Sequence, residues 1–266
     1  MRNPCVAHRG FSGIAPENTM AAVQLAMQQE DVRWIEVDVQ CSKDGVPLLI
    51  HDFTLNRTTN GRGPVKDKTW AELQTLDAGS WKSKAYRGER LPSLDEFLDA
   101  IAGRLHVNLE IKTESNMYPG LEEKVVAAVK RRHMEHEVVL TSFEPRILAK
   151  IKEIGRGIRT GLIIDRQPKD LLLRLKLLHC SFLSIHYRAL TAELAEKAFK
   201  HGIEVMAWTM DDVKSLRKVA ALHPGILLCT NRPDVWRQAA GCGKTNHAIV
   251  KSQSLGGEDD DEQIDR

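Results

Sequence analysis

The sequence predicts a (β/α)8 TIM barrel, and three observations support this fold class. The chain has 266 residues, a length that α/β barrels often fill as one domain. Short runs of β-branched and apolar residues alternate with amphipathic helical stretches, which indicates parallel βαβ units. Eight such runs fall within about 240 residues, the number that a closed barrel needs. An open, doubly wound sheet is the alternative, because periodicity alone does not show closure.

The predicted elements follow one another in a regular order. The eight barrel strands are expected at residues 4–8, 33–39, 107–112, 138–142, 159–164, 182–186, 203–208 and 226–230. Amphipathic helices are expected between them, for example over residues 18–29, 93–102, 120–132, 191–201 and 211–220.

Two segments fall outside this repeat. After the second strand, an Asp-Gly turn sends residues 46–51 back as a hairpin. Residues 53–92 follow with polar loops, glycines and few helical signals, and we interpret them as a small cap subdomain inserted into a barrel domain, 1–241. The remaining segment, 242–266, ends in GGEDDDEQIDR and is predicted to be a disordered, solvated acidic tail rather than a binding element.

The composition argues against several classes of protein. A formal net charge of +2 favours neither nucleic acid nor a membrane surface as a partner. No apolar run approaches the roughly 20 residues of a membrane span, so we expect no stable membrane insertion. The N-terminus lacks the apolar core of a secretion signal. The five cysteines are scattered without metal-type spacing, which favours the cytoplasm. The oligomeric state stays open.

Charged residues gather at the carboxyl ends of the predicted strands, where the active sites of (β/α)8 barrels lie. The residues at these ends, together with the end of the hairpin, are His8, Arg9, Glu36, Asp38, His51, Glu110 and Lys112. We therefore expect acids, histidines and cations to converge at one mouth of the barrel.

Three of these acids point to a metal site. Side chains alternate along a strand, so Glu36 and Asp38 share one side, and Glu110 ends the next barrel strand. Burying like charges together is costly unless something compensates for them. A hard cation such as Mg²⁺ or Ca²⁺ prefers oxygen ligands and does so. The alternative is that the acids form ion pairs with the basic residues at the barrel end.

The basic residues indicate the chemistry. Two histidines at strand ends beside paired acids, His8 and His51, are typical of a general acid and base. Arg9 offers a forked donor for phosphate oxygens, and Lys112 offers a point charge. A cation site flanked by such residues points to phosphate-ester chemistry.

Two aromatic residues end further strands at the same mouth. Phe143 follows the fourth barrel strand and Trp208 ends the seventh. They could form an apolar wall for part of a substrate, or they could cap the barrel core.

Seven motifs resemble those of the glycerophosphodiester phosphodiesterases, in order and spacing, over about residues 5–235. They are AHRGFSGIAPENTMAA, WIEVDVQCSKDGVPLLIHDFTLNRTTNG, TWAELQTLDAGSW, GERLPSLDEFL, NLEIK, AWTM and TNRPD. That family has a (β/α)8 barrel with an insertion after strand two. It hydrolyses glycerophosphodiesters, such as glycerophosphocholine or glycerophosphoethanolamine, to sn-glycerol 3-phosphate and an alcohol with a divalent cation.

The resemblance also assigns roles to residues. It implies that His8 and His51 are the acid/base pair, while the metal ligands would be Glu36, Asp38 and Glu110. Arg9 and Lys112 would contact phosphate.

The same resemblance adds Glu17 and Asn18 as supporting residues. For Asn18 the residues alone suggest only the cap of the first helix.

Two alternatives to this function remain at this point. One is a lysophospholipase D-type phosphodiesterase acting on lipids, which the polar insertion disfavours. The other is a barrel that binds phosphodiesters without catalysis, which should have lost one of the histidines or acids. The choice between Mg²⁺ and Ca²⁺, the preferred alcohol group, the identity of the acid and the base, and the nucleophile (water or the glycerol 2-hydroxyl) stay open.

Overall fold

A computed structural model describes residues 1–115 and 117–242, and its central element is a closed parallel barrel. The strands are β1 (Cys5–His8), β2 (Val32–Cys41), β3 (Pro47–Leu49), β4 (His106–Ile111), β5 (Val138–Ser142), β6 (Arg159–Ile164), β7 (Phe182–His186), β8 (Glu204–Trp208) and β9 (Leu227–Thr230). Their order is β1-β9-β8-β7-β6-β5-β4-β2-β3, and an additional β1–β2 pairing closes the ring. The predicted (β/α)8 barrel is confirmed, and the alternative of an open sheet is wrong.

The helices cover the outside of the barrel and the insertion. They are α1 (Met20–Met27), α2 (Trp70–Leu73), α3 (Leu94–Ile101), α4 (Leu121–Arg131), α5 (Pro145–Ile154), α6 (Leu171–Leu177), α7 (Ala192–Lys200), α8 (Val213–Ala220) and α9 (Pro233–Ala240). Short 3-10 turns lie at Val65–Asp67, Lys84–Tyr86 and Tyr187–Ala189.

Alternation along β2 separates the barrel interior from the helical layer. Ile35, Val37 and Val39 are fully buried and belong to the large apolar cluster formed by the strands and the helices. Burying each such side chain contributes about 1.5–3 kcal/mol to stability. Glu36 and Asp38 occupy the opposite side of the same strand, so they project into the barrel. The outward valines thus fix the direction of the two acids.

The lower part of the barrel interior is apolar. Its buried side chains are Val6, Trp34, Val139, Phe182, Met206, Leu227 and Cys229. The rings of Trp34 and Phe182 lie 6.1 Å apart between centroids. This packing fills the lower part of the barrel, and the polar residues nearer the carboxyl ends of the strands lie above it.

The segment after β2 begins as predicted, with an antiparallel hairpin in which Val39 pairs with Leu49. Gly45 forms the turn with φ 85°, a conformation that favours glycine. The interpretation of 53–92 as a separate cap subdomain stays a prediction.

The insertion has an apolar cluster that its polar sequence did not suggest. The buried members of this cluster are Leu48, Ile50, Leu55, Val65, Leu73, Ala78 and Leu91. Helix α2 starts at a capping box between Thr69 and Glu72. The predicted tail, 242–266, lies outside the described residues except for its first position.

The search for membrane-spanning segments covered the described part of the chain. Within it, every helix is too short or too polar to cross a bilayer.

Candidate active site

A cavity of about 220 Å³ opens at the carboxyl end of the barrel. The residues that line it are His8, Arg9, Glu36, His51, Asn108, Glu110, Lys112, Phe143, Ile163, Ser184, Met206 and Trp208. The structure thus brings both predicted histidines to the same cavity as the predicted phosphate-binding residues. Asp38 lies just beneath it and is fully buried.

Neighbouring strands hold the three acids together. In the parallel register of β2 and β4, Asp38 lies opposite Glu110, and Glu36 lies two residues earlier on the same side. One carboxylate oxygen from each of the three acids lies within 4.8 Å of the other two. Three carboxylates this close create a strong negative potential in a site of low dielectric.

That potential changes the pKa values of the acids. Burial, and then the charge of Asp38, raises the pKa of Glu36 well above its usual range and that of Glu110 to about 7. Burial alone would also raise the pKa of Asp38, but Arg9 is close enough to hold it below its ordinary value. The triad therefore favours one ionised acid and two acids that resist ionisation unless further positive charge arrives.

The residues of the triad fit a divalent cation. Asp38 Oδ1 is buried and accepts no hydrogen bond within the described chain, while Lys112 Nζ lies 3.8 Å away. Carboxylate oxygens are the ligands that Mg²⁺ and Ca²⁺ prefer. A cation held by Glu36, Asp38 and Glu110 would satisfy this oxygen and would allow all three acids to ionise.

His8 is fixed by residues that lie far away in the sequence. Its Nδ1 lies 2.7 Å from Oδ1 of Asn231, and its Nε2 lies 3.7 Å from Oε2 of Glu36. Burial first, and then the guanidinium of Arg9, lowers the pKa of His8 to about 4. The imidazole is therefore neutral at physiological pH in the cation-free protein.

His51 is held by its own hairpin. Gln40 Nε2 lies within 2.8–3.0 Å of the backbone carbonyls of Ile50, His51 and Asp52, which fixes the chain at the end of the hairpin. The Nδ1 atom of His51 lies 2.7 Å from Oδ1 of Asp52. Burial lowers the pKa of His51, while the Asp38 charge and the hydrogen bond to Asp52 act in the opposite direction.

The basic side chains of Arg9 and Lys112 form ion pairs with acids of the site. Arg9 Nη1 donates to Glu17 Oε1 at 2.8 Å, and its Nε lies 3.1 Å from Asp38 Oδ2. Lys112 Nζ lies 2.9 Å from Glu110 Oε1. These ion pairs are the arrangement expected from the purely structural alternative, and they coexist with the unsatisfied Asp38 oxygen.

Glu17 and Asn18 both support residues of the site. The carboxylate of Glu17 joins Arg9 to Arg57. Asn18 donates from Nδ2 to Asp38 Oδ2 at 2.8 Å.

The expectation that Asn18 caps the first helix is wrong. Thr19 is the N-cap of α1, because its side chain accepts a hydrogen bond from the backbone N–H of Ala22. Asn18 instead has φ 56°, a left-handed conformation that asparagine tolerates and that turns its amide toward Asp38.

The two predicted aromatic residues form one side of the cavity. The rings of Phe143 and Trp208 meet edge to face, 6.3 Å apart between centroids. Phe143 is 41% exposed, and Lys112 Nζ lies 5.8 Å from its ring centroid. The exposure of Phe143 favours a wall beside the cavity. Trp208 lines the cavity and also packs against the apolar interior of the barrel, so it serves both interpretations.

Sequence reasoning missed three residues that hold the histidines. Asn231 contacts His8, and Asp52 contacts His51, while Arg57 binds Asp52 through both carboxylate oxygens. The motifs TNRPD and IHDFTLNRTTNG contain these residues, but they gave no sign of which side chains they meet. Distance in the sequence explains the omission of Asn231, since its contact with His8 spans 223 positions.

The family model for the glycerophosphoryl diester phosphodiesterases matches residues 8–235. The chain belongs to this family. The match covers all barrel strands except part of β1, and it includes every proposed site residue.

Similar sequences and similar solved structures agree with this membership. The chain is 37% identical over 225 residues to a glycerophosphodiester phosphodiesterase of Caldanaerobacter subterraneus subsp. tengcongensis, covering 82% of this chain and 90% of the relative. It resembles the structure of an Oleispira antarctica phosphodiesterase in complex with the product sn-glycerol-3-phosphate, with a TM-score of 0.80, 33% identity and coverage of 89% and 96%. An Agrobacterium tumefaciens glycerophosphodiester phosphodiesterase structure matches with a TM-score of 0.77, 34% identity and coverage of 90% and 99%.

Proposed function

We propose that the protein is a cation-dependent glycerophosphodiester phosphodiesterase. It hydrolyses small diesters such as glycerophosphocholine or glycerophosphoethanolamine to sn-glycerol 3-phosphate and an alcohol. The observation that carries this proposal is that two histidines and an acid triad meet at one cavity in a chain of this family. If the histidines and the acids had only a structural role, apolar side chains would fill it at least as well.

The proposed ligands of the cation are Glu36, Asp38 and Glu110. When bound there, a divalent cation supplies Lewis acidity, which draws charge from a phosphoryl oxygen. Arg9 and Lys112 add positive charge at the rim of the cavity and stabilise the anionic phosphate.

The histidines move the protons. One of them removes a proton from the attacking oxygen, which belongs to water or to the glycerol 2-hydroxyl. The other donates a proton to the oxygen of the leaving alcohol. Each transfer of this kind typically contributes about 10²–10⁴-fold to the rate. The wall of Phe143 and Trp208 contacts the carbon atoms of the substrate and holds it in place.

The size of the cavity favours a water-soluble diester over a lipid. At about 220 Å³ it is smaller than the cavities of about 300–1,000 Å³ that enclose drug-sized ligands. A long acyl chain would have to extend outside it. The cytoplasmic location, which rests on the cysteine pattern and the N-terminus, stays a prediction.

Release of the alcohol tests the proposal, and the second product is sn-glycerol 3-phosphate from a glycerophosphodiester but lysophosphatidic acid from lysophosphatidylcholine. The purified protein is incubated with glycerophosphocholine, glycerophosphoethanolamine or lysophosphatidylcholine, with Mg²⁺ or Ca²⁺. We expect turnover of the first two esters with at least one cation. A protein that prefers lysophosphatidylcholine would support the lysophospholipase D alternative, and inactivity with every ester and cation would contradict phosphodiester hydrolysis.

A further inference from the structure

The two histidines of the cavity differ in the chemistry of the partner at Nδ1. His51 faces the carboxylate of Asp52 at 2.7 Å, and His8 faces the amide oxygen of Asn231 at the same distance. Both partners accept the Nδ1 proton, so the Nε2 atom of each ring is left for the substrate. A carboxylate partner stabilises the protonated imidazole more strongly than a neutral amide does. Burial lowers the pKa of both rings, but the carboxylate partner lets His51 hold a second proton more readily than His8.

Arg57 holds the carboxylate of Asp52 in place. Its Nε and Nη2 atoms donate to the two oxygens of Asp52 at 2.7 and 2.9 Å. Its Nη1 and Nη2 atoms donate to Glu17 at 2.8 Å each. The hydrogen bonds from Arg57 lower the pKa of Asp52 to about 2, so this partner of His51 is ionised throughout the neutral range. A planar guanidinium can bind two carboxylates at once through paired N–H groups, which a lysine ammonium cannot do.

The partner of His8 is fixed as firmly, but it is neutral. Asn231 donates from Nδ2 to Asp211 Oδ2 at 2.6 Å. Because a carboxylate only accepts hydrogen bonds, the amide nitrogen must face Asp211 and the amide oxygen must face His8. The Nδ1 atom of His8 therefore carries the hydrogen, and its Nε2 has a free lone pair in the neutral ring.

We propose that Asp52 and Arg57 are positioning residues that make His51 the proton donor to the leaving alcohol, while His8 accepts the proton of the attacking oxygen. This inference rests on the proposed function. The P–O bond to the leaving alcohol breaks, and its electron pair stays on that oxygen, which takes the proton from His51 Nε2. A new P–O bond forms to the attacking oxygen, whose proton passes to His8 Nε2.

Two substrates with the same glycerophosphoryl group separate these roles. Glycerophosphocholine releases an alkoxide, which needs a proton, whereas the p-nitrophenyl ester of glycerol 3-phosphate releases an anion that is stable without one. A defect in proton donation slows the first reaction and spares the second. A defect in the base slows both, since both need the same attacking oxygen.

Asp52→Asn keeps the shape of the side chain and removes its charge. We expect it to lower kcat for glycerophosphocholine by about 10–100-fold, part of the contribution of a complete general acid, and to change kcat for the nitrophenyl ester by less than about threefold. Arg57→Lys should shift the ratio of the two kcat values in the same direction, because lysine cannot bind both oxygens of Asp52 through paired N–H groups. Asn231→Ala should lower both values equally.

A matched control variant, and the ratio of the two kcat values within each variant, separate a change in chemistry from a folding defect. Arg62→Ala removes an arginine of the same insertion whose guanidinium contacts the backbone carbonyls of Asn56 and Gly61, and it should leave both rates unchanged. The ratio of the two kcat values does not depend on how much of a variant is folded. Equal losses on the two esters in Asp52→Asn would overturn the inference. A wild-type protein that hydrolyses neither ester contradicts the proposed function itself.

Discussion

Glu110 should give the cation-free protein a stability that depends on pH. Burial and the Asp38 charge raise the pKa of Glu110 from 4.5 to about 7 in the folded state. Between these two values the unfolded chain releases a proton that the folded chain still holds. The free energy of unfolding therefore falls as the pH rises through this window, and the contribution of protonated Glu110, complete below pH 4.5, is lost by about pH 7.

The size of the effect follows from the two pKa values. They differ by about 2.5, and each pKa unit corresponds to about 1.4 kcal/mol, so the loss is on the order of 3–4 kcal/mol. The side chain of Glu110 is only 12% exposed, which leaves little solvent to weaken the effect. Cation binding requires ionised ligands, so the stabilisation by Mg²⁺ or Ca²⁺ should grow over the same window.

Urea unfolding of chelator-treated protein measures this loss, at several pH values from 4.5 to about 7. Glu110→Gln is the matched variant, because it keeps the shape of the side chain and cannot ionise. The difference between the two proteins removes the titrating groups that Glu110 does not influence, and it reports Glu110 together with the coupled response of Glu36. Parallel pH profiles for wild type and variant would refute the argument from burial and charge.

Four further substitutions test other parts of the site. His8→Ala or His51→Ala should lower kcat by about 10²–10⁴-fold in protein that still folds, and near-normal turnover would exclude the two-histidine mechanism. Asn18→Ala removes a hydrogen bond to the buried Asp38 carboxylate and should cost about 1–3 kcal/mol in urea unfolding, with no loss if that contact is unimportant. Gly10→Ala should lower the melting temperature, because the new Cβ would lie 2.6 Å from the backbone of α1 at φ 78°, and an unchanged value would contradict this geometry.

The barrel and its acids were accessible from the sequence because both depend on local periodicity. The alternation that buries Val37 and Val39 also fixes the direction of Glu36 and Asp38, so a single strand predicts its own inner side. The carboxyl ends of parallel strands meet at one mouth in any such barrel, which explains why His8 and Glu110 arrive at the same cavity.

The residues that hold the two histidines in place could not be predicted in the same way. Asn231 reaches His8 across the β1–β9 pairing, which exists only after the barrel closes. Arg57 joins Asp52 to Glu17 through the fold of the insertion, and no periodic pattern marks that contact. The N-cap was misplaced by one residue because Asn18 and Thr19 are both good capping residues and only the backbone angles separate them.

The apolar cluster of the insertion was also missed, for a different reason. Its members are spread singly among polar residues and glycines, so they form neither a helical nor a strand period. Leu48 and Ile50 of the hairpin complete this cluster. A dispersed core of this kind becomes visible only when the chain is folded.

In the proposed function, hydrolysis of a glycerophosphodiester depends on a cation held by Glu36, Asp38 and Glu110. The most direct measurement is the rate at which chelator-treated protein releases sn-glycerol 3-phosphate from glycerophosphocholine, before and after Mg²⁺ or Ca²⁺ is restored. We expect almost no release before the cation is restored and full recovery after it. Release at the same rate in the presence of the chelator would contradict a role for the cation in hydrolysis.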